Sequence, residues 1–366
     1  MNFEKLEKML DSFLAMGVPG YDFIVKKGGE TVYRKFNGFS NLSARIPMNG
    51  KERYHIFSCS KPITCTAALQ LWEKGLFGLD DKLGDYMPEF REMTVWGEDG
   101  KIVPAKNPIL IRNLFTMTAG FDYNTQSKSL LRAFDETHGA CPTRETMKYL
   151  AQEPLSFEPG AMWQYSLCHD VLAAFVEVVS GKRFEEYVKE NVFDPLEMND
   201  STFLLPRTEQ NTVCTQYYQT ADHPNVVTAL NNDAATLHTY RLGADYASGG
   251  AGCVSTVEDY IRFLEALRKG NEILKKDTIR MMISSQLTPE QDNTYWNKGL
   301  HNYGLGVRCP LEGVSSDFGW GGAAGAFLAV DPENDFTMFY AQHVLNSPNR
   351  EYRGKLPQMV KEALAE

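Results

Sequence analysis

The chain has 366 residues, of which 43% are hydrophobic and 23% are charged, with 29 glycines and 17 prolines. This composition excludes a disordered, collagen-like or low-complexity protein. The 47 acidic and 37 basic residues give a formal net charge of −10, which argues against a nucleic-acid-binding protein. The length suggests two domains, or one domain with a large insertion.

The chain has no run of 18 apolar residues, so the sequence predicts no transmembrane helix. The seven cysteines are scattered, odd in number and without a CxxC pair. They favour reduced thiols in the cytoplasm over a disulfide framework or a zinc site. An export signal removed from the chain would leave no trace in this sequence.

The first predicted element is a helix over residues 1–16. Its charged residues alternate with apolar ones at helical spacing, which indicates an amphipathic helix of the mature fold and not a signal peptide. Residues 21–25 and 31–36 follow, rich in β-branched and aromatic residues, with Gly28 and Gly29 between them. This pattern predicts a β-hairpin.

The middle of the chain is predicted to be mostly helical, and the end returns to strands. Helical periodicity predicts helices over 61–76, 171–179 and 184–192. Extended segments with turn residues at 331–334 between them predict strands over 303–307, 326–330 and 336–341. An apolar face predicts a last helix over 355–365.

This order of elements suggests two lobes. Residues 1–57 and 241–366, from both ends of the chain, would build an α/β lobe, and residues 58–240 would form a mostly helical lobe inserted beside it. A cleft between the lobes would be the natural place for a site.

Several catalytic signatures are missing, namely GxGxxG, GxxxxGK[ST], HExxH and GxSxG. No two histidines have metal-ligand spacing, so we predict neither a metal site nor a cofactor.

One arrangement can carry chemistry, the segment Ser58-Cys59-Ser60-Lys61 at the start of a predicted helix. Ser58 and Lys61 are one turn apart and face the same way. A lysine there can take the serine proton, or hold the charge that makes the hydroxyl reactive. Backbone N–H groups at a helix N-terminus can also stabilise an oxyanion. Alone, the motif is weak, because an N-cap serine followed by a surface lysine gives the same pattern.

The chain resembles the serine β-lactamase and penicillin-binding-protein superfamily, and within it the class C β-lactamase-like group that includes the family VIII carboxylesterases. Six segments match in order: IFSCSKP at 56–62, LDDKL and YMP within 79–88, IRNLFTMTAGF at 111–121, FEPG leading to YS within 157–166, GGAGCVSTVED at 249–259, and GWGG followed by VDP within 319–332. The resemblance implies an α+β, β-lactamase-like fold with a central antiparallel sheet flanked by helices and a mostly helical inserted lobe.

The resemblance also implies roles for single residues. Ser58 matches the nucleophile that becomes acylated, Lys61 the second member of the motif, and Tyr165 the tyrosine of the Tyr-x-Asn motif. A nearby cation favours the phenolate form of a tyrosine, so Tyr165 could take the Ser58 proton and later pass it on. Sequence does not decide whether Tyr165 or Lys61 is the base. The oxyanion hole would use the backbone N–H groups of Ser58 and Ala323.

Two departures from the family pattern bear on the substrate. Leu167 stands at the position of the asparagine whose amide binds the acyl side chain in β-lactamases. Trp320, Gly321 and Gly322 replace the Lys-Thr-Gly or His-Thr-Gly motif, and tryptophan offers apolar area and one N–H donor but no cation. Both changes favour a neutral or apolar ester, and Trp-Gly-Gly is similar to the pattern in some family VIII carboxylesterases.

Other residues near the motifs are weaker candidates. An apolar acyl pocket could be lined by aromatic residues, although such residues more often belong to the core: Phe121, Tyr123, Trp163 and Trp320. His169 follows Tyr165 by four residues and would share its helix face, where it could tune the site through a hydrogen bond. The alternative is a structural histidine at the start of that helix.

The sequence therefore predicts a serine hydrolase, most simply a carboxylesterase that acts on neutral or apolar esters through an acyl-enzyme on Ser58. A β-lactamase, a D-aminopeptidase or another peptide or amide hydrolase of the superfamily is the alternative, and a non-catalytic binding protein on this fold is a lesser one. The expected partner is a small ester or amide substrate in the cytoplasm, without nucleic acid or membrane. The physiological substrate and the oligomeric state are not specified.

Overall fold

The structure, a computed structural model, describes residues 1–97, 99–220, 222–223, 226–230 and 242–366. Its α-helices are α1 (Glu4–Ala15), α2 (Ser60–Glu73), α3 (Leu83–Tyr86), α4 (Ile111–Thr116), α5 (Lys128–Glu136), α6 (Thr143–Leu150), α7 (Cys168–Ser180), α8 (Phe184–Val188), α9 (Val257–Lys269), α10 (Lys276–Met282), α11 (Pro289–Asp292), α12 (Arg350–Arg353) and α13 (Leu356–Ala365). None of the described helices combines the length and apolar character needed to cross a membrane.

The strands are short apart from four in the main sheet. They are β1 (Gly20–Lys27), β2 (Glu30–Asn41), β3 (Ile46–Pro47), β4 (Tyr54–His55), β5 (Thr94–Trp96), β6 (Ile102–Pro104), β7 (Tyr217–Gln219), β8 (Val227–Ala229), β9 (Val254–Ser255), β10 (Asn302–Tyr303), β11 (Arg308–Cys309), β12 (Phe318–Gly321), β13 (Phe327–Asp331), β14 (Phe336–Gln342) and β15 (Val344–Leu345). Short 3₁₀ turns cover Phe57–Cys59, Pro88–Phe90 and Arg207–Thr212, and a π turn covers Lys189–Phe193.

The central sheet has eight strands in the order β10-β11-β12-β13-β14-β1-β2-β3, and every neighbouring pair is antiparallel. Strands from both ends of the chain meet where β1 pairs with β14. The predicted α+β class with a central antiparallel sheet is therefore confirmed. The predicted lobe boundary at residues 240 and 241 lies outside the described residues, and the division into two lobes stays a prediction.

The two faces of this sheet bury different sets of helices. On one face, alternate residues of β1 and β14 pack against the apolar sides of α1 and α13, with Leu10, Phe23, Tyr340 and Val360 among the buried side chains. The other face joins a larger core that contains α2, α7 and α9. Since strand residues alternate between faces, this two-sided burial explains why β14 is buried along its whole length.

Element boundaries differ from the predictions in two informative places. The predicted strand over 303–307 is wrong in extent, because Gly304 N–H donates to Val307 O at 2.9 Å and closes a turn directly after β10. The predicted helix over 184–192 is α-helical only to Val188, beyond which the backbone continues as a π turn. Both changes are local backbone events that periodicity does not detect.

Candidate active site

Ser58 lies at a sharp bend between β4 and α2. The 3₁₀ turn Phe57–Cys59 leads directly into α2, and Phe57 has a φ of 48°. This left-handed conformation is costly for an aromatic residue, by about 1–3 kcal/mol, and persists only where the surroundings impose it. The bend leaves Ser58 7% exposed at the N-terminal end of α2.

Hydrogen bonds on both sides of Ser58 impose this bend. The Ser60 hydroxyl donates to Phe57 O at 2.6 Å and accepts from Cys253 N at 2.9 Å. The Tyr260 hydroxyl donates to Cys59 O at 2.6 Å. Because Cys253, directly before β9, and Tyr260 in α9 supply two of these partners, the segment after residue 250 fixes the backbone around Ser58. This contact explains why the matching motifs at 56–62 and 249–259 occur together.

Lys61 is fully buried beside Ser58. Its Nζ donates to Gly250 O at 2.7 Å and to Ser58 Oγ at 3.4 Å, and it lies 4.5 Å from the centre of the Tyr165 ring. No carboxylate oxygen of the described residues lies within 4.0 Å of Nζ. The ammonium group is therefore held by neutral oxygens and by aromatic faces.

Tyr165 completes the group from a position 107 residues further along the chain. Its hydroxyl is hydrogen-bonded to Ser58 Oγ at 2.5 Å. Its ring stacks on Tyr123, with centroids 5.3 Å apart and planes inclined by 5°. The structure thus brings Ser58, Lys61 and Tyr165 together as the sequence predicts, and a hydroxyl between a phenol and an ammonium is suited to proton transfer.

The segment Trp320 to Ala323 lies next to the backbone that precedes Ser58. Gly322 N–H donates to Ala326 O at 2.7 Å, and a Cβ added at Gly322 would lie 2.2 Å from Ile56 O. Only glycine permits this approach. The turn after β12 therefore lies close to Ser58, where an oxyanion hole would need Ala323. The oxyanion role of Ser58 N–H and Ala323 N–H remains a prediction.

An aromatic wall borders Tyr165. We define it as Tyr123, Trp163, Trp296 and Trp320. The Tyr165 ring lies 4.8 Å from the Trp296 ring and 6.1 Å from the Trp320 ring, measured between centroids. Trp320 is almost fully buried, whereas Trp296 is 54% exposed. The wall therefore presents one large apolar side chain to solvent at the edge of the site.

Trp296 was not among the residues predicted from the sequence. It belongs to no family motif and follows α11 in an irregular segment. The Thr288–Gln291 capping box signals the helix start but not its proximity to Tyr165. Phe121, by contrast, was predicted for the acyl pocket. It is buried and packs edge-on against Phe90 at 5.8 Å, so it belongs to the core and not to the wall.

Leu167 and His169 are both buried, and their predicted substrate-binding roles stay predictions. Leu167 is 2% exposed and its N–H donates to Asp122 O at 3.0 Å. His169 is fully buried, with Nε2 3.3 Å from Phe115 O and 3.6 Å from Cys65 Sγ.

Burial and the nearby charge of Lys61 lower the pKa of His169 to about 3, so the ring is neutral. The described hydrogen bonds of His169 reach neither Ser58 nor Tyr165. A role for His169 in tuning the site therefore stays a prediction, beside the alternative of a structural histidine.

Two cysteines flank the group, and both are fully buried. Burial raises the pKa of Cys168 to about 11 and also raises the pKa of Cys59. Near neutral pH both side chains are therefore thiols, which are poor nucleophiles compared with thiolates. Their small volume fits the packing between α2 and α7.

Comparisons with known proteins agree with this geometry. The Beta-lactamase family model matches residues 6–359. Esterase EstB of Burkholderia gladioli is 31% identical over 269 residues, which cover 67% of this chain and 64% of EstB. Lovastatin esterase of Penicillium rubens is 26% identical over 339 residues, covering 84% of each chain.

A solved structure shows the same fold over nearly the whole chain. It is that of EstCE1, a hydrolase with promiscuous acyltransferase activity, with a TM-score of 0.80 and 23% identity over 99% of this chain and 98% of EstCE1. The predicted β-lactamase-like fold is confirmed. With a family match that spans most of the sequence, the chain belongs to the Beta-lactamase family, within the serine β-lactamase and penicillin-binding-protein superfamily that its motifs resemble.

Proposed function

We propose that the protein is a serine hydrolase that cleaves neutral, apolar esters through an acyl-enzyme on Ser58. The observation that carries the proposal is the placement of Ser58 Oγ within hydrogen-bonding distance of both Tyr165 OH and Lys61 Nζ. The serine hydrolases among its relatives, EstB and lovastatin esterase, are named as esterases. Their names support the ester class and leave the substrate of this chain to experiment.

Proton transfer would use Tyr165 as the base. The Tyr165 hydroxyl is 2.5 Å from Ser58 Oγ, whereas Lys61 Nζ is 3.4 Å away. Lys61 also binds Gly250 O, so its ammonium group is oriented to stabilise a phenolate and not to accept a proton. In this scheme Ser58 Oγ attacks the ester carbonyl as its proton moves to Tyr165.

The remaining steps follow from the same groups. Ser58 N–H and Ala323 N–H would stabilise the oxyanion of the tetrahedral intermediate. Tyr165 would return its proton to the alcohol as the C–O bond breaks, and would then accept a proton from the water that attacks the acyl-enzyme. As the bond between Ser58 Oγ and the acyl carbon breaks, Tyr165 would return that proton to Oγ, so hydrolysis regenerates Ser58 and releases an acid and an alcohol. An alcohol in place of that water would give acyl transfer by the same steps.

The surroundings favour an uncharged substrate. Trp320 occupies the position of the family's cationic motif, and Leu167 cannot supply the amide that binds the acyl side chain of a β-lactam. The aromatic wall adds apolar area beside Tyr165. A carboxylate-bearing β-lactam would lose both a cation and a hydrogen-bond partner here, and buried polar groups without partners are costly.

The test is turnover of p-nitrophenyl butyrate and of nitrocefin by wild type and Ser58→Ala, with intact-protein mass spectrometry. We expect ester turnover well above nitrocefin turnover, an acyl adduct on wild type, and a loss of about 10³-fold or more in Ser58→Ala. Ser180→Ala is the matched control, because its hydroxyl binds the backbone of Lys182 at the C-terminal end of α7 and contacts neither Ser58 nor Tyr165. It should keep the adduct.

Other outcomes would favour other functions. Faster nitrocefin turnover would indicate a β-lactamase or another amide hydrolase, with the missing cation supplied elsewhere in the cleft. Absence of both turnover and adduct would contradict the proposal and favour a binding protein on this fold. Ester turnover that survives Ser58→Ala would contradict the acyl-enzyme on Ser58.

A further inference from the structure

Lys61 poses a charge-balance problem that its direct contacts do not solve. The ammonium group is fully buried and has no carboxylate of the described residues within 4.0 Å. A buried, uncompensated charge has a large desolvation cost. Some other group must therefore offset the charge if Lys61 is to stabilise an anion at Tyr165.

Asp170 is the buried carboxylate that the proposed chemistry does not yet use. It lies in the first turn of α7 and is fully buried. Its Oδ1 accepts from Ser248 Oγ at 2.6 Å and from Tyr246 OH at 3.0 Å. Ser248 Oγ in turn accepts from Ala251 N at 3.0 Å, so its own proton points to Asp170. Two donors on one oxygen are the arrangement expected for an ionised carboxylate.

Gly250 separates this carboxylate from Lys61. A Cβ added at Gly250 would lie 2.5 Å from Asp170 Oδ2 and 3.4 Å from Lys61 Nζ. The two charges therefore face each other across a residue without a side chain. Burial raises the pKa of Asp170, and the Ser248 hydrogen bond and the charge of Lys61 oppose that rise.

We propose that Asp170 is a positioning residue for Lys61. Its carboxylate holds the loop from Tyr246 to Gly252 so that Gly250 O receives the ammonium group, and it supplies the negative charge that balances Lys61 without an ion pair. The inference rests on the proposed function of Ser58, Lys61 and Tyr165. Keeping the counter-charge one residue away leaves the ammonium free to interact with Ser58 and the Tyr165 ring.

Removal of the charge has a defined consequence for the reaction. Loss of a buried anion favours the deprotonated form of neighbouring acids. Other titratable groups contribute to the same electrostatic field. Those that interact with Lys61 are Tyr123, Tyr165, His169, Cys59, Cys65 and Cys168. Those that interact with Asp170 are Tyr246 and Cys168. Burial keeps the thiols and His169 neutral near pH 7, so among these described groups Asp170 is the carboxylate placed to balance Lys61.

The first experiment compares pH profiles of kcat/KM for p-nitrophenyl butyrate, followed by base titration. Asp170→Asn should lower kcat/KM by at least about 10-fold. It should also move the acid limb of the profile, the range in which kcat/KM falls as pH falls, to lower pH by about 1 unit. Asp259→Asn is the matched control. It is also a buried carboxylate with a raised pKa, but it accepts from Asp200 N and Ser201 Oγ. Its acid limb should not move.

The second experiment needs no substrate. Urea unfolding of wild type, Asp170→Asn, Lys61→Met and the double variant forms a double-mutant cycle. Each single variant leaves a buried charge uncompensated, so the losses of the two singles should together exceed the loss of the double variant. Should Asp170→Asn fail to fold, Ser248→Ala removes one hydrogen bond to the carboxylate and should move the acid limb in the same direction by less.

The outcomes separate this inference from the function on which it rests. Wild-type protein without ester turnover or adduct would contradict the proposed function, and the unfolding cycle alone would then decide whether Asp170 balances Lys61. Ester turnover in wild type with an unmoved acid limb in Asp170→Asn would overturn the inference while leaving the hydrolase. Additive stability losses would overturn it in either case.

Discussion

Two buried cations lie on opposite sides of the central sheet, and their surroundings differ. Lys61 lies beside Ser58 and contacts Gly250 O, Ser58 Oγ and the face of the Tyr165 ring. Arg308 is 5% exposed and lies opposite Gly319 in the pairing of β11 with β12. Since strand residues alternate, Arg308 lies on the other face of β12 from Trp320. Only Arg308 has a direct carboxylate partner.

The Arg308 partner is Asp317, whose Oδ2 lies 2.6 Å from the guanidinium. His301 and Leu328 O supply further contacts to Arg308. Burial alone would raise the pKa of Asp317, but the charge of Arg308 and the His301 contact hold it well below its usual range. The charge of Arg308 is balanced by its direct carboxylate partner. The charge of Lys61 has no such partner among the described residues and acts on Ser58 and Tyr165. The difference separates a structural charge from a reactive one.

The largest effect that tests this contrast is on activity. Lys61→Met should lower kcat/KM for p-nitrophenyl butyrate by about 10³-fold, because the charge that stabilises the Tyr165 phenolate is lost. Arg308→Met, the matched control, should keep kcat/KM within about threefold. Equal losses in the two variants would mean that the pairing state of a buried cation does not distinguish their roles.

The free energy of unfolding should show the reverse order, with a larger loss in Arg308→Met than in Lys61→Met. Arg308→Met leaves Asp317 buried without its partner and should lower the free energy of unfolding by about 3 kcal/mol, whereas a double change that also replaces Asp317 by Leu should recover much of it. Lys61→Met leaves Asp170 without its counter-charge, but that carboxylate is separated from Lys61 by Gly250 and keeps its hydrogen bonds from Ser248 and Tyr246, so the loss should be smaller. Chemical denaturation checks both. A larger loss for Lys61→Met would contradict the contrast.

The sequence predicts the Lys61 side of this contrast far better than the Arg308 side. Ser58, Lys61 and Tyr165 follow from short motifs that match a family in order, and the antiparallel sheet follows with them. Arg308 and Asp317 belong to no motif, and their pairing depends on strand register. Register is set by the burial of whole strands and by turns, which local periodicity does not encode.

Trp296 and His169 show the same limit within the site. Trp296 reaches Tyr165 only through the tertiary path of an irregular segment, so no spacing reveals it. His169 was placed on the Tyr165 face by assuming one continuous helix, but α7 begins at Cys168, after Tyr165. His169 is the second residue of α7 and is fully buried, and its ring contacts Phe115 O.

The pH dependence of the free energy of unfolding tests the surroundings of Lys61 at a single residue, His169. Burial and the charge of Lys61 lower the pKa of His169 to about 3 in the folded chain, against an ordinary value of about 6.5. The unfolded chain therefore binds the proton first as pH falls. The contribution of neutral His169 to the free energy of unfolding is fully present above about pH 6.5. It is lost as pH falls towards about 3, by up to about 1.4 kcal/mol per pH unit.

His169→Gln should flatten this part of the pH profile of the unfolding free energy relative to wild type. The experiment is a series of urea denaturation curves between pH 7 and pH 4 on both proteins. His343 is a second buried histidine with a lowered pKa and remains in both, so the difference between the curves isolates His169. Parallel profiles would show that His169 accepts its proton in the folded chain.

The smallest expected effect concerns residues 296–301, the segment that connects the surroundings of Lys61 with those of Arg308. Trp296 contacts Tyr165 at 4.8 Å, while Asn297 and His301 line a cavity of about 550 Å³ beside Arg308. Trp296→Ala should raise KM for a p-nitrophenyl ester with an aromatic acyl group by about 10-fold, since an aromatic contact contributes about 1 kcal/mol or more. KM for the acetate ester should change little. Trp96→Ala is the matched control, as Trp96 is 50% exposed on the β5–β6 hairpin.

The same measurement on Arg308→Met tests how separate the two sides of the sheet are. Arg308 contacts His301, which is five residues after Trp296 in this segment. If the ion pair only stabilises the fold, KM for the aromatic ester should stay at the wild-type value in Arg308→Met. A rise equal to that of Trp296→Ala would mean that Arg308 positions the aromatic wall through His301. The paired cation would then contribute to substrate binding, and pairing alone would no longer mark a charge as structural.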